Sequence, residues 1–389
     1  MIKRKIEAQL KKASQQFGVV SVTGPRQSGK TTLVKKMFPH HEYINLENPA
    51  HLQAISDDPL SIISERKTGL IIDEVQKYPE LLSYIQTEID QSFKPGKFII
   101  TGSQNLLLSN KVNQSLAGRV AVLTLLPLNL AELNFSNKSH EIDFRKLILD
   151  GFYPGLQSKK LDRKLFYSSY INTYVERDVR SLSNVGDLTN FQRFLQILGG
   201  RVGQLLDLSS IGNDLGVSYK TVDAWISILE ASYIAFRLQP YYKNYGKRVI
   251  KSPKIYFYDV GLASYLLGID SAMELKNHFA IGALFENLVI ADLLKTKFNC
   301  VSSSKLYFWR DSKGHEIDLL VDRGSDKLLL EIKSGQTYHG DFLKNIDFFK
   351  KITDEKVKSY LLYNGEMKQK IKDTQLTSLG SLGVVSRLV

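Results

Sequence analysis

Cysteine is nearly absent. Cys300 is the single one in 389 residues, which excludes an internal disulfide framework and is as expected for a cytosolic chain. With no paired His/Cys spacing, a zinc site lacks a ligand set. A long apolar run is missing as well. The most apolar stretch, Val120 to Leu133, is broken by Thr124, Pro127 and Asn129 and is too short to cross a bilayer. At the N-terminus, Lys3, Arg4 and Lys5 interrupt Ile2 and Ile6, so the unbroken apolar core of a secretory signal is not there. Acidic residues fall short of basic ones, 40 against 52, giving a formal net charge of +12. That surplus favours polyanionic partners and says nothing of fold. What is present is ordinary: 43% hydrophobic and 24% charged residues exclude whole-chain disorder. The length suits two or three domains. The expected class is a cytoplasmic, basic, multidomain protein with no membrane partner.

The chain divides into three expected regions. In residues 1–142, short apolar runs alternate with helical spacing, as in a parallel, doubly wound α/β sheet. Val19 to Val22, Leu70 to Ile72 and Phe98 to Ile100 read as buried strands, with Tyr43 to Leu46 a weaker one. Thr31 to Met37 and Glu80 to Ser92 read as helices between them. Residues 143–250 begin with helical spacing. Then come a short helix (Ser210 to Leu215), a turn at Gly216-Val217-Ser218, a longer helix (Tyr219 to Glu230) and an extended run (Ser232 to Leu238). That order describes a winged helix-turn-helix. Val222, Trp225, Ile226 and Leu229 form the core stripe of its second helix. Residues 251–389 form a third, α/β region.

Gly24-Pro25-Arg26-Gln27-Ser28-Gly29-Lys30-Thr31 matches G-x-x-x-x-G-K-[ST] and is followed by Thr32. The glycines let successive backbone N–H groups turn inward toward phosphate oxygens, and the helix that follows presents its positive end. Lys30 is placed to reach the β- and γ-phosphates of ATP, and the Thr31 hydroxyl to complete the shell of Mg²⁺. The apolar run Leu70-Ile71-Ile72 delivers Asp73 and Glu74 to the carboxyl end of a strand, where nucleotides bind. Asp73 is then a ligand for Mg²⁺, and Glu74 orients or polarises the attacking water. Ser103, ending the third apolar strand, is a candidate to bond that water or the γ-phosphate. Arg119 is a candidate arginine finger, with a solvated or structural arginine an equal alternative. These residues describe a Mg²⁺-dependent ATPase.

The phosphate loop, Asp73-Glu74-Val75-Gln76, Thr101-Gly102-Ser103 and Ala117-Gly118-Arg119 resemble prokaryotic AAA-type ATPases, and within them the subgroup with a C-terminal domain of unknown function. Tyr174 to Asp178, Ser252-Pro253-Lys254 and Asp259-Val260-Gly261-Leu262 extend that resemblance over nearly the whole chain. It implies an ATPase architecture and leaves the cellular role undefined.

In the third region, Glu316 to Val321 and Leu328 to Lys333 read as two strands joined by a polar turn. Pairing Val321 with Leu328 in antiparallel register sets Asp318 opposite Glu331, and period-two alternation sends Glu331 and Lys333 to one face. Two carboxylates and a lysine so placed can hold a divalent cation and act on water. Glu286, in an otherwise apolar helix, could add a further oxygen. Together Glu286, Asp318, Glu331 and Lys333 resemble the PD-(D/E)XK nuclease signature, with Ile317 in place of the proline before the aspartate. The alternatives are a plain surface ion pair or a structural carboxylate network in a nuclease-like fold.

Lys243, Lys247, Arg248, Lys251 and Lys254 occur with Tyr241, Tyr242 and Tyr245 and no acidic residue between them. Cations for phosphates and aromatic rings for stacking suit DNA; a solvated basic linker is the alternative. Two functions stay open: an ATPase acting on DNA with a nuclease-like tail, or a regulatory ATPase whose winged-helix and C-terminal regions bind proteins. An arginine finger acting in trans would require a homo-oligomer.

Overall fold

Alternate residues of the first apolar runs face opposite sides of one sheet. In the computed structural model, which describes residues 2–64, 68–103, 116–133, 143–174, 188–242, 250–367 and 369–387, β1 (Val19–Thr23), β2 (Glu42–Asn45), β3 (Leu70–Asp73), β4 (Phe98–Gly102) and β5 (Val120–Thr124) pair in the order β2-β3-β4-β1-β5. Every pairing is parallel. Val19, Leu70, Ile72, Phe98 and Ile100 pack with Leu82, Ile85 and Ile89 of α5 (Leu81–Gln91), beyond α3 (Pro49–Asp57) and α4 (Pro59–Ser64). Val20, Val22, Ile71 and Ile99 pack on the other face, with Leu10 of α1 (Glu7–Gln16) and Leu33 and Val34 of α2 (Lys30–Met37). Both faces are covered, which is why these strands read as continuous apolar runs. The parallel order brings the carboxyl ends of β1, β3 and β4 to one edge.

Contacts divide the chain into two units. The first comprises Met1–Leu128 with Ala231–Tyr233 and Phe298–Val301; the second comprises Asn129–Glu230, Ile234–Lys297 and Ser302–Val389. Strands on either side of residue 250 are paired, Ala235 to Leu238 running antiparallel to Phe257 to Lys254. The second unit holds an eight-stranded mixed sheet, ordered β12-β13-β11-β10-β9-β8-β6-β7. Its strands are β6 (Ala235–Pro240), β7 (Lys254–Phe257), β8 (Lys305–Arg310), β9 (Glu316–Asp322), β10 (Lys327–Lys333), β11 (Val357–Tyr363), β12 (Lys370–Ile371) and β13 (Thr374–Thr377). Gln239 and Pro240 of β6 pair parallel with Tyr307 and Phe308 of β8, so the expected middle region and the tail share one sheet. Pairing Leu328 with Val321 in β10 and β9 is the observed antiparallel register.

The helices of this unit include α6 (Phe144–Asp150), α7 (Arg163–Tyr174), α8 (Leu188–Gly200), α9 (Leu208–Leu215), α10 (Tyr219–Ala231), α11 (Val260–Leu266), α12 (Ile281–Cys300) and α13 (Lys344–Ile352). Asp207 caps α9 by accepting from Ser210 N, and Gly216 ends it at φ 69°, a left-handed position that suits glycine. Val222, Trp225, Ile226 and Leu229 of α10 are buried. Ile346 and Phe349 of α13 cover Trp309, Ile317, Leu329 and Leu361 of the sheet. Asp259 explains one of the matched motifs. Its carboxylate caps α11 through Leu262 N at 2.9 Å and accepts from Phe152 N and Tyr167 OH, each at 2.6 Å.

Candidate nucleotide site and acidic cluster

The loop after β1 is shaped by close approach. Gly24 has φ 145°, and a Cβ there would stand 2.1 Å from the Leu125 carbonyl oxygen, so only glycine fits. Gly29 precedes α2 at φ 93°, and Gln27 is also left-handed at φ 61°. Lys30 is 6% exposed, and its Nζ donates to the Gly24 and Pro25 carbonyls, each at 2.9 Å. The loop thus holds the ammonium within its own curve. Ser28 is buried, and its Oγ has no hydrogen-bond partner. Pro25 is buried, Gln27 and Thr32 are exposed, and Arg26 lies 3.8 Å from Glu47. Arg4 braces the loop from α1's approach, donating to Ser28 O at 2.8 Å and Leu126 O at 2.6 Å.

The end of β3 meets this loop. Thr31 Oγ1 donates to Asp73 Oδ2 at 2.7 Å, and Tyr43 OH donates to the same oxygen at 2.7 Å. Thr101 donates to the other oxygen, Oδ1. Burial, and then the hydrogen bond to Asp73, push the Tyr43 phenol above its ordinary range. A hydroxyl and a carboxylate side by side, at a loop that also holds a buried serine hydroxyl without a partner, are a donor set suited to Mg²⁺ with a phosphate. Glu74 follows at φ 58°, a backbone region that a non-glycine side chain enters at a cost of about 1–3 kcal/mol. Its Oε2 accepts from Gln76 Nε2 and from Ser103 Oγ, the latter at 3.2 Å. Gln76 Nε2 also donates to Ser103 Oγ at 3.2 Å. Lys30, Thr31, Asp73, Glu74 and Ser103 are therefore gathered at one sheet edge.

Arg119 is not among them. It directly precedes β5, and its carbonyl accepts from Val19 N at the amino end of β1, opposite the loop. Its guanidinium is paired with Asp90, at 2.5 Å and 2.9 Å. In its own chain it does not reach the loop.

Tyr43, Gln76, Arg4 and Tyr233 are partners that sequence reasoning missed. Tyr233 OH shares a hydrogen bond with Thr23 at 3.0 Å. Nothing in local spacing links residue 4 to 126 or 23 to 233.

In the second unit the four nuclease-like candidates also meet. Lys333 Nζ lies 2.6 Å from Glu331 Oε1 and 3.5 Å from Asp318 Oδ2. Asp318 Oδ2 accepts from Ile332 N at 2.7 Å. Glu286, on α12, accepts from Tyr256 OH at 2.5 Å and from Lys254 Nζ at 3.0 Å. Burial first, and then Asp318, push Glu331 up to about 8. Burial likewise raises Glu286. Lys254 goes the other way from the basic-surface expectation: it is 3% exposed and held by carboxylates, so it offers nothing to DNA phosphates. Its ammonium is held well above the usual lysine range, burial being outweighed by Glu286, Tyr256, Glu316 and Asp318. Lys251 is exposed, with Nζ 5.9 Å from the ring centroid of exposed Tyr242. Lys243, Lys247, Arg248 and Tyr245 lie outside the described residues, as do Val175 to Asp178.

Residues 16–134 match the family described as an AAA domain. Residues 141–273 and 281–382 match two domains of unknown function. An uncharacterized protein of Mycobacterium tuberculosis is 31% identical over 339 residues, 86% of this chain and 74% of that one. An uncharacterized protein of Haemophilus influenzae is 25% identical, over 85% of this chain and 87% of that one. Among solved structures, the Walker-type ATPase of Pyrococcus abyssi is 15% identical, spans 68% of this chain and 96% of its own, and has a TM-score of 0.44. Among the described residues, no helix is long and apolar enough to cross a membrane.

Proposed function

The chain belongs to the family of its Mycobacterium tuberculosis relative and carries an AAA-type ATPase domain, and from that premise we propose that it binds ATP in the loop 24–31 and hydrolyses it with Mg²⁺. The observation that carries this is the 2.7 Å bond from Thr31 to Asp73 beside the buried Lys30. Thr31 and Asp73 would hold Mg²⁺, which neutralises phosphate charge when bound. Lys30 would exchange its two carbonyl partners for phosphate oxygens. Glu74, with Ser103 and Gln76 on its carboxylate, would orient the attacking water. Arg119 would act only in trans, from a neighbouring copy.

The partner in this reading is DNA. Support comes from the net charge of +12 and from exposed Lys251 beside exposed Tyr242. The helix–turn–helix of α9 and α10 followed by β6 and β7 supports a winged-helix reading. One observation favours a protein partner there instead. The α10 acids Asp223 and Glu230 are both bound by Arg237, at 2.7 Å each, which leaves that face without the cationic surplus of a groove reader. The tail is read as nuclease-like in fold, on the register of β9 and β10; cleavage is no part of the proposal.

The test is ATP turnover with and without single- and double-stranded DNA at rising salt. DNA stimulation that fades steeply with salt is expected. Glu74→Gln should still bind ATP yet turn over about 100-fold or more slowly. Undiminished turnover in that variant removes Glu74 from the mechanism, and a DNA-insensitive rate favours the protein-partner reading.

A further inference from the structure

The acidic cluster of the second unit brings its own cations. Lys254, on β7, is almost wholly buried, and its Nζ stands 3.0 Å from Glu286 Oε1 and 2.5 Å from Glu316 Oε1. Arg310 takes the other Glu316 oxygen, Oε2, at 3.0 Å. Lys333 lies against both Asp318 and Glu331. Each of the four carboxylates therefore already faces an ammonium or guanidinium group.

A divalent cation needs several oxygens at once, six in near-octahedral array for magnesium. Here an incoming ion would share those oxygens with two ammonium groups of its own sign, in a buried place where water screens little. Among the described residues, no group of three or more histidine, cysteine, aspartate or glutamate side chains is placed to hold a metal ion. Glu331 Oε2 is the one cluster oxygen found buried without a partner, and one oxygen is not a coordination shell. The residues expected from the nuclease signature come together, and as they stand they do not fit its metal.

We propose that Lys254 is a tethered counter-ion that fills the cation position of this cluster, so that the tail binds no divalent metal there and the cluster serves to tie β7, α12 and β9 together. The Lys254 ammonium does what a bound ion would do, joining Glu286 of α12 to Glu316 of β9. This inference is independent of the ATP reading.

Manganese binding to the nucleotide-free chain tests it, by calorimetry and by the electron paramagnetic resonance signal of free ion. The wild type and Asp318→Asn should bind manganese alike, because the cluster contributes no site. Lys254→Met should gain a site, and the double variant Lys254→Met/Asp318→Asn should lose it again. A wild-type site that vanishes in Asp318→Asn overturns the proposal. So does a folded Lys254→Met that gains nothing. If Lys254→Met fails to fold, the comparison of wild type with Asp318→Asn still decides.

Discussion

At the scale of the residue, neighbours decide what a charge does. Lys254 ends a run of cations and tyrosines in the sequence, yet its ammonium lies among Glu286 and Glu316. Its partners come from α12 and β9, and no local pattern announces them. The convergence of Lys30, Thr31, Asp73 and Glu74 was legible because G-x-x-x-x-G-K-[ST] is a local motif and the acids end an apolar strand. Asp292 gives a residue-scale prediction. It is buried in α12, where its Oδ1 accepts from Leu130 N at 2.6 Å, and burial pushes its carboxyl up to about 6 from the ordinary 3.8. The folded value lies above the unfolded one, so between them the native chain binds the extra proton. The contribution is therefore full below 3.8 and is lost as pH rises through about 6. Relative to Asp292→Asn, the wild-type thermal midpoint is expected to fall across that window. A difference that stays flat, or rises, contradicts the assignment.

At the scale of the element, β1, β3 and β4 could be read because helices cover both faces of the sheet and leave them continuously apolar. β2 was weaker in sequence because it lies at the sheet edge with a partly exposed run, Glu42–Asn45. β5 was hidden in a longer apolar stretch, and only its pairing with β1 marks it as a strand. The hairpin register of β9 and β10 followed from pairing Val321 with Leu328 across the polar turn, and alternation then set which residues share a face. The attachment of β6 to β8 did not, since two paired residues leave little trace in local composition. Gly24 joins element to site. With φ at 145° and Leu125 O where a Cβ would go, Gly24→Ala must shift the loop against the neighbouring strand. We expect a loss of about 1–3 kcal/mol in urea unfolding and about tenfold or more weaker ATP binding. Unchanged values in both would mean that the loop has room the structure denies it.

At the scale of the whole molecule, the division into units assigns the proposed nucleotide site to one unit and the acidic cluster to the other. The first unit holds the proposed nucleotide residues on one sheet edge, and its Arg119 lies at the other end, bound to Asp90. In the proposed mechanism that placement allows Arg119 a role only in trans, from a neighbouring copy. The second unit merges the expected winged-helix and nuclease-like regions through one eight-stranded sheet. Composition does not announce this sheet, because it joins segments that are far apart in sequence. The account stands on triphosphate capture by residues 24–31, and isothermal calorimetry of ATP with magnesium is its most direct measurement. The wild-type chain should take up ATP and folded Lys30→Ala should show no tight binding; a folded wild type that takes up no nucleotide, or a Lys30→Ala that binds it equally well, would contradict the account.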